Sequence, residues 1–329
     1  LLVNVQAGSS GCKPYKGKNV ATGTTMGSPQ LQIALAMDAR NREAAGISPD
    51  WLDVATARAS LPDLGLDVPA DIEQVPVDAG GVPAVWVGAP SKAHGPRVVY
   101  LHGGGFVAGG LPSHRSLVAW LAHEVGGSVL FVDYGLAPEH KFPTQIEQAH
   151  TALVWAAGHS PAGAGAAGAL AIAGDSAGAA LAVGAMLLAR ERGSVMPQAA
   201  ALFCGMLDLD PAASAFAGSS RRMIEMVEAY LPSGTTPANP FASPLRADLA
   251  GFPAMLLQTG TADGCRADSE NFTQRLRDAG GQATLTVWPE MFHVWHRFAP
   301  LLPEAHQALV EAAAFLRATM GLQRGSPSF

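Results

Sequence analysis

The chain has 329 residues, 48% of them hydrophobic and 15% charged, with a formal net charge of −6. That length suits a single α/β domain with an insertion as well as two ordinary domains, and it allows a large core. The mild acidic balance, with Lys and Arg scattered, excludes a basic footprint for nucleic acid or for an anionic membrane surface.

In chain order, residues 1–25 lack both the charged start and the apolar h-region of a secretory signal. They read as a disordered or vector-derived extension ahead of Met26, and the expected compartment is the cytoplasm. Residues 29–67 are helical in pattern and precede the first strand. From about Ile72 short β-type runs alternate with longer helical ones. That alternation predicts an α/β fold, with a mostly parallel eight-stranded sheet flanked by helices. The predicted strands are 74–77, 84–87, 97–101, 128–132, 170–173, 199–204, 254–258 and 284–288. Several are nearly all apolar, as strands covered on both faces should be. Predicted helices run over 113–124, 144–157, 179–190, 268–279 and 303–320, on apolar positions spaced three and four apart. Residues 208–244 interrupt the alternation with an amphipathic run at 221–231. No stretch spans a bilayer: the longest apolar one, 169–189, contains Asp175, Ser176 and several glycines. The glycines of 163–168 spell G-x-G-x-x-G, but they precede a strand, whereas a dinucleotide fingerprint must follow one and open a helix. They read as a loop. Cys12, Cys204 and Cys265 lie far apart and read as free thiols, with Cys265 an incidental target for thiol reagents.

Gly174-Asp175-Ser176-Ala177-Gly178 sits between a buried strand and a helical run, the context of a nucleophile elbow. The two flanking glycines leave room for a turn sharp enough to lift the Ser176 hydroxyl above the sheet. The Ala177 N–H, at a helix start, is then free to donate to an oxyanion. His102-Gly103-Gly104-Gly105 directly follows the strand at 97–101, where an oxyanion-hole loop belongs in this arrangement. Three glycines let a backbone approach an acyl group closely. The hydroxyl needs a base and the base an orienting acid, in the chain order Ser, acid, His. Asp263 and His293 fall just past the ends of the last two strands, on the edge where open α/β sheets place their sites. Asp268 is the rival acid but reads as the N-cap of the next helix. His296 is the rival base, three residues farther from its strand. Asp175 and Glu139 read as structural carboxylates. No metal-ligand spacing appears, and neither metal nor cofactor is called for.

These motifs resemble the hormone-sensitive-lipase-like family of bacterial esterases, of the α/β-hydrolase superfamily. The likeness runs from about Ile72 to Leu316. It includes His102–Phe106, Gly174–Gly178 and Asp133-Tyr-Gly-Leu-Ala-Pro-Glu139, with Gly135 where the family usually has Arg. The resemblance implies that Ser176, Asp263 and His293 are catalytic and that Gly104, Gly105 and Ala177 form the oxyanion hole. It implies that His102, Gly103, Gly174, Asp175 and Gly178 support them. Residues 26–67 and 208–244 would form a helical cap on a catalytic domain over 68–329. It further implies short- to medium-chain acyl esters as small-molecule substrates. A lactonase, amidase or acyltransferase would use the same three residues, whereas a non-catalytic receptor of this fold would lack the His. Neither nucleic acid nor membrane insertion is expected, and the chain could pair with a second copy as a homodimer. Phe106, Met206, Leu207, Phe292 and Trp295 are expected to line the pocket because they adjoin the motifs.

Overall fold

The computed structural model describes residues 28–322 except Pro49, Ala215 and Ala217. The expectations for residues 1–25 and Cys12 lie outside the described residues. Eight strands form one sheet: β1 (Glu73–Asp78), β2 (Pro83–Gly88), β3 (Arg97–Leu101), β4 (Ser128–Val132), β5 (Leu170–Asp175), β6 (Ala199–Phe203), β7 (Ala254–Gly260) and β8 (Ala283–Trp288). Their spatial order is β1-β2-β4-β3-β5-β6-β7-β8. The β1–β2 and β2–β4 pairs are antiparallel and the rest parallel. Strands β3 and β4 are buried at every residue. Such strands are apolar almost throughout because helices cover both faces of the sheet.

On one face lie α3 (Leu111–Val125) and α8 (Pro303–Thr319), packed with Phe131, Tyr100 and Leu256 of the strands. On the other lie α4 (Thr144–Gly158), α5 (Ala177–Arg192) and α7 (Arg266–Asp278), packed with Val99, Ile172 and Leu257. Helix α3 starts at Leu111 rather than Ser113, with Gly110 as N-cap and Pro112 in its first turn, where a proline loses no hydrogen bond. The glycines of 163–168 form a loop that includes half of a two-residue hairpin. The loop is pinned by Arg97, whose Nη1 donates to Gly165 O at 2.9 Å and Ala156 O at 2.8 Å.

The segment before the sheet carries α1 (Pro29–Ala44) and α2 (Val54–Ala59), and the insertion after β6 carries α6 (Arg221–Tyr230). Ser28 caps α1, Asp53 caps α2 and Ser220 caps α6, each side chain accepting from a backbone N–H of the first turn. In α1, Leu31 and Ala34 are buried and Leu35 faces outward, as does Trp51 in the connection to α2. The two segments are tied together by Leu52 N–H donating to Glu225 at 2.8 Å. Arg58 ties α2 to the sheet side: its Nε donates to Val107 O at 3.0 Å and its Nη2 to Glu139 at 2.7 Å. Gly135 donates to Gln148 at 2.7 Å, and the His140 ring fills the space a larger residue's Cβ would need there.

Among the described residues, no helix is long and apolar enough to cross a membrane.

Candidate active site

The chain leaves β5 and turns into α5 within one residue, Ser176, whose φ of 51° and ψ of −120° no ordinary strand or helix uses. Such a backbone costs of the order of 1–3 kcal/mol and persists only where its surroundings over-determine it. Here Ser176 N–H donates to Phe203 O at 2.9 Å and Ser176 O accepts from Met206 at 3.1 Å. A Cβ at Gly174 would meet the Gly178 carbonyl carbon at 2.6 Å, and one at Gly178 would overlap Leu101 O. Both glycines are therefore required by the crossing of β5 and α5 against the end of β3.

The Ser176 hydroxyl lies 2.9 Å from His293 Nε2, and His293 Nδ1 lies 2.7 Å from Asp263 Oδ1. An ionised carboxylate only accepts, so Nδ1 carries the proton and Nε2 is left to accept from the serine. Asp263 also accepts from Thr259 Oγ1 at 2.7 Å and Cys265 N–H at 3.0 Å. Burial alone would raise this carboxyl, but the His293 hydrogen bond and charge and these two donors outweigh it and hold it at about 2. Asp263 is thus ionised at any working pH.

The rivals separate cleanly. Asp268 is not a helix cap, since Cys265 holds that position on α7. Its Oδ2 instead accepts from the buried N–H groups of Leu207 and Asp208, at 2.9 and 3.1 Å. It clasps the loop after β6. Burial, with the Asp208 and Asp263 charges, pushes it up to about 6 despite those two donors. His296 is fully buried, stacked on Phe203 with centroids 4.6 Å apart, and donates to Gln258 Oε1 at 3.0 Å. It is a core histidine.

Opposite the serine, the loop after β3 is shaped by Asp175, which accepts from Gly103 N–H at 3.0 Å and Tyr100 OH at 2.7 Å and pairs with His114 at 3.3 Å. A Cβ on Gly103 would overlap that carboxylate, and one on Gly104 would overlap Ala108 O. His102 turns inward, stacked on Tyr134 at 4.3 Å, and its Nδ1–H donates to Gly103 O at 2.8 Å. Among the described residues, the N–H groups of Gly104, Gly105 and Ala177 make none of the turn and loop hydrogen bonds that fix their neighbours.

Over these groups lies a cavity of about 510 Å³, lined by Gly103, Gly104, Gly105, Ser176, Met206 and His293 from the sheet side. Asp38, Arg42, Ala57 and Leu61 reach it from the N-terminal segment, and Phe216, Arg222, Met223 and Met226 from the insertion.

The profile of a family described as alpha/beta hydrolase fold matches residues 98–297. An acetyl-hydrolase of Streptomyces hygroscopicus is 35% identical over 311 residues, 90% of this chain and 99% of that one. A carboxylesterase of Mycobacterium tuberculosis is 32% identical over 68% of this chain and 73% of its own. A crystal structure of an esterase from the bacterial hormone-sensitive lipase family superposes with a TM-score of 0.79 at 33% identity, covering 90% of this chain and all of that one.

The chain belongs to the α/β-hydrolase fold family. Within it, the protein is a carboxylic ester hydrolase of the hormone-sensitive-lipase-like kind.

The pocket expected for this esterase from adjacency needs correction. Met206 does line the cavity, but Phe106, Leu207, Phe292 and Trp295 do not. Phe106, with φ at 65°, turns its ring onto Tyr230 at 3.8 Å. Leu207 is fully buried in the core on the α5 side. After His293 the chain passes through Val294 in a left-handed conformation, φ 53°. That turn sends Trp295 into the core on the α8 side, where Phe292 also packs, against Phe298 at 5.3 Å. Cys265 is fully buried, and burial with the Asp263 charge pushes its thiol well up, so it is no target for thiol reagents. Phe216, which adjacency to a motif does not reveal, stacks on His293 with centroids 5.2 Å apart. Its only trace in the sequence is that it is the sole aromatic in the small-residue run 211–220.

The buried titratable groups predict an unusual acid response. Burial lowers His102 and His296 from 6.5 to about 3, so both stay neutral in the fold but take up a proton when unfolded. Stability should therefore begin to fall as pH drops below about 6.5. Asp268 works the other way between about 6 and 3.8, where only the folded form holds its proton. Below 3.8 Asp175 and Asp263, both at about 2 in the fold, add to the loss. The melting temperature should decline gently from pH 6.5 to 4 and steeply below. Asp268→Asn, which removes the opposing group, should steepen the upper part. A melting temperature flat from pH 7 to 4 would contradict this.

Proposed function

We propose that this esterase cleaves short- to medium-chain acyl esters through an acyl-enzyme on Ser176. The observation that carries the reading is the continuous hydrogen-bonded chain from Ser176 Oγ through His293 to Asp263. Ser176 Oγ forms a bond to the ester carbonyl carbon as His293 Nε2 takes its proton. Negative charge develops on the carbonyl oxygen, where the N–H groups of Gly104, Gly105 and Ala177 receive it. Asp263 keeps Nδ1 protonated and stabilises the imidazolium. The tetrahedral intermediate collapses by breaking the C–O bond to the alcohol, which leaves with the proton from His293. Water, deprotonated by the same nitrogen, then releases the acid and restores the serine.

Helices α1, α2 and α6 act as the cap, with Met206, Met223, Met226 and Phe216 as the apolar wall for the acyl group. Four adaptable or flat side chains suit a short acyl chain without a long tunnel. Hydrolysis of p-nitrophenyl acetate, butyrate and octanoate tests this: kcat/KM should be highest at acetate or butyrate and fall at octanoate. A steady rise to octanoate would assign a long-chain lipase instead.

Phe216 holds the catalytic imidazole from the cap side, and Gly264 leaves it room, since a Cβ there would meet the Phe216 ring at 2.7 Å. A ring contact of this kind contributes about 1 kcal/mol. Phe216→Ala should lower kcat by about fivefold, and Phe216→Tyr, which keeps the ring, should restore most of it. Equal losses in both variants would mean that ring stacking does not hold His293 in place.

A further inference from the structure

The cavity of this esterase is not neutral. Asp38 and Arg42 enter it from α1, Arg222 from α6, Arg297 from the 3₁₀ turn at Trp295–Phe298 and Asp175 from the end of β5. Four of the five are engaged. Asp38 and Arg42 pair at 2.8 Å. Asp175 is saturated by Tyr100, Gly103 and His114. Arg297 is buried and donates to Ser113 O at 2.8 Å. Arg222 differs: among the described residues no carboxylate or carbonyl accepts from its guanidinium. It is half-buried, and its cation is disfavoured by burial and by the charge of Arg42.

Its placement is selective. The preceding residue, Arg221, points outward and pairs with Glu225 at 2.7 Å, as a solvated surface arginine does. Arg222, Met223 and Met226 are the α6 side chains that reach the cavity. An unpaired, half-desolvated guanidinium on an apolar wall costs free energy unless an anion meets it. Its planar fork matches a carboxylate in two parallel hydrogen bonds.

We propose that Arg222 is a specificity-determining residue and that the preferred substrates are esters carrying a carboxylate away from the scissile bond. The inference rests on the serine-esterase reading above. A guanidinium that touches only this remote group binds substrate and transition state equally, so its effect falls on KM rather than kcat.

The test compares anionic esters with their neutral counterparts. On the acyl side these are the mono-p-nitrophenyl esters of succinate, glutarate and adipate, each beside its methyl-capped diester. On the alcohol side it is 4-acetoxybenzoate beside its methyl ester. The wild type should favour the anionic member in at least one pair by about five- to tenfold in kcat/KM, through KM, relative to the same ratio in Arg222→Gln. Arg222→Lys should keep part of that preference and Arg222→Glu should invert it. Raising the salt concentration should shrink it in the wild type alone. An anionic-to-neutral ratio that is the same in wild type and Arg222→Gln across all four pairs would overturn the proposal. The two readings fail separately. Loss of p-nitrophenyl butyrate hydrolysis would sink the esterase reading. Calorimetric binding of monomethyl glutarate, stronger in wild type than in Arg222→Gln, still reads the cation, and equal binding would refute it.

Discussion

Replacing Ser176 by Ala should lower ester hydrolysis by about 10⁴- to 10⁶-fold while leaving the protein folded. The size of the effect follows from the way the three residues act as a unit. Without the hydroxyl, His293 has nothing to deprotonate but water, and the oxyanion donors retain only a residual rate enhancement. Folding should survive because the elbow is held by its backbone: Ser176 N–H bonds Phe203 O and Ser176 O receives Met206 N–H, neither through the side chain. Alanine adopts the same strained φ at a cost no larger than serine's. Parallel circular dichroism and kinetics on one preparation would check both halves. A folded variant that kept more than about a tenth of its activity would exclude covalent catalysis at this residue.

Asp263→Asn should cost on the order of 10⁴ in kcat. Asparagine keeps the shape but presents a neutral amide to His293 Nδ1. The imidazole can then settle in the tautomer that donates toward Ser176, and the imidazolium loses its counter-charge. The pair is 2.7 Å apart with the Asp263 side chain fully buried, so little solvent screens the missing charge. Asp268→Asn provides the contrast. Its amide oxygen can still accept from Leu207 and Asp208, and activity should stay within a few-fold of the wild type. Asp268→Ala would instead strand two buried N–H groups, at about 1–3 kcal/mol each, and should appear as lost stability. If the two asparagine variants exchanged effects, Asp268 would be the acid.

The parts of this molecule legible in its sequence are those fixed by local chemistry. Buried strands such as β3 and β4 announce themselves because both faces must be apolar. The elbow announces itself because Gly174 and Gly178 have no alternative that clears Leu101 O and the Gly178 carbonyl. What stayed hidden depends on side-chain direction and on contacts between distant segments. Phe106 and Trp295 adjoin the motifs, yet backbone turns at Phe106 and Val294 send their rings away from the cavity. Phe216, Met223 and Met226 line it from an insertion whose position over the site no periodicity encodes. Asp268 shows the same limit. Capping is a local signal, but its partners are the N–H groups of Leu207 and Asp208, some 60 residues away.

Turnover by this mechanism requires that Ser176 becomes acylated. The most direct measurement is mass spectrometry of the protein after treatment with a p-nitrophenyl alkylphosphonate, which a serine esterase attacks as it would an ester but cannot hydrolyse. One adduct per chain should form, carried by the peptide containing Ser176, appearing in step with loss of activity and absent from Ser176→Ala. Inactivation with the adduct on another residue, or continued ester hydrolysis by a fully modified Ser176, would contradict it.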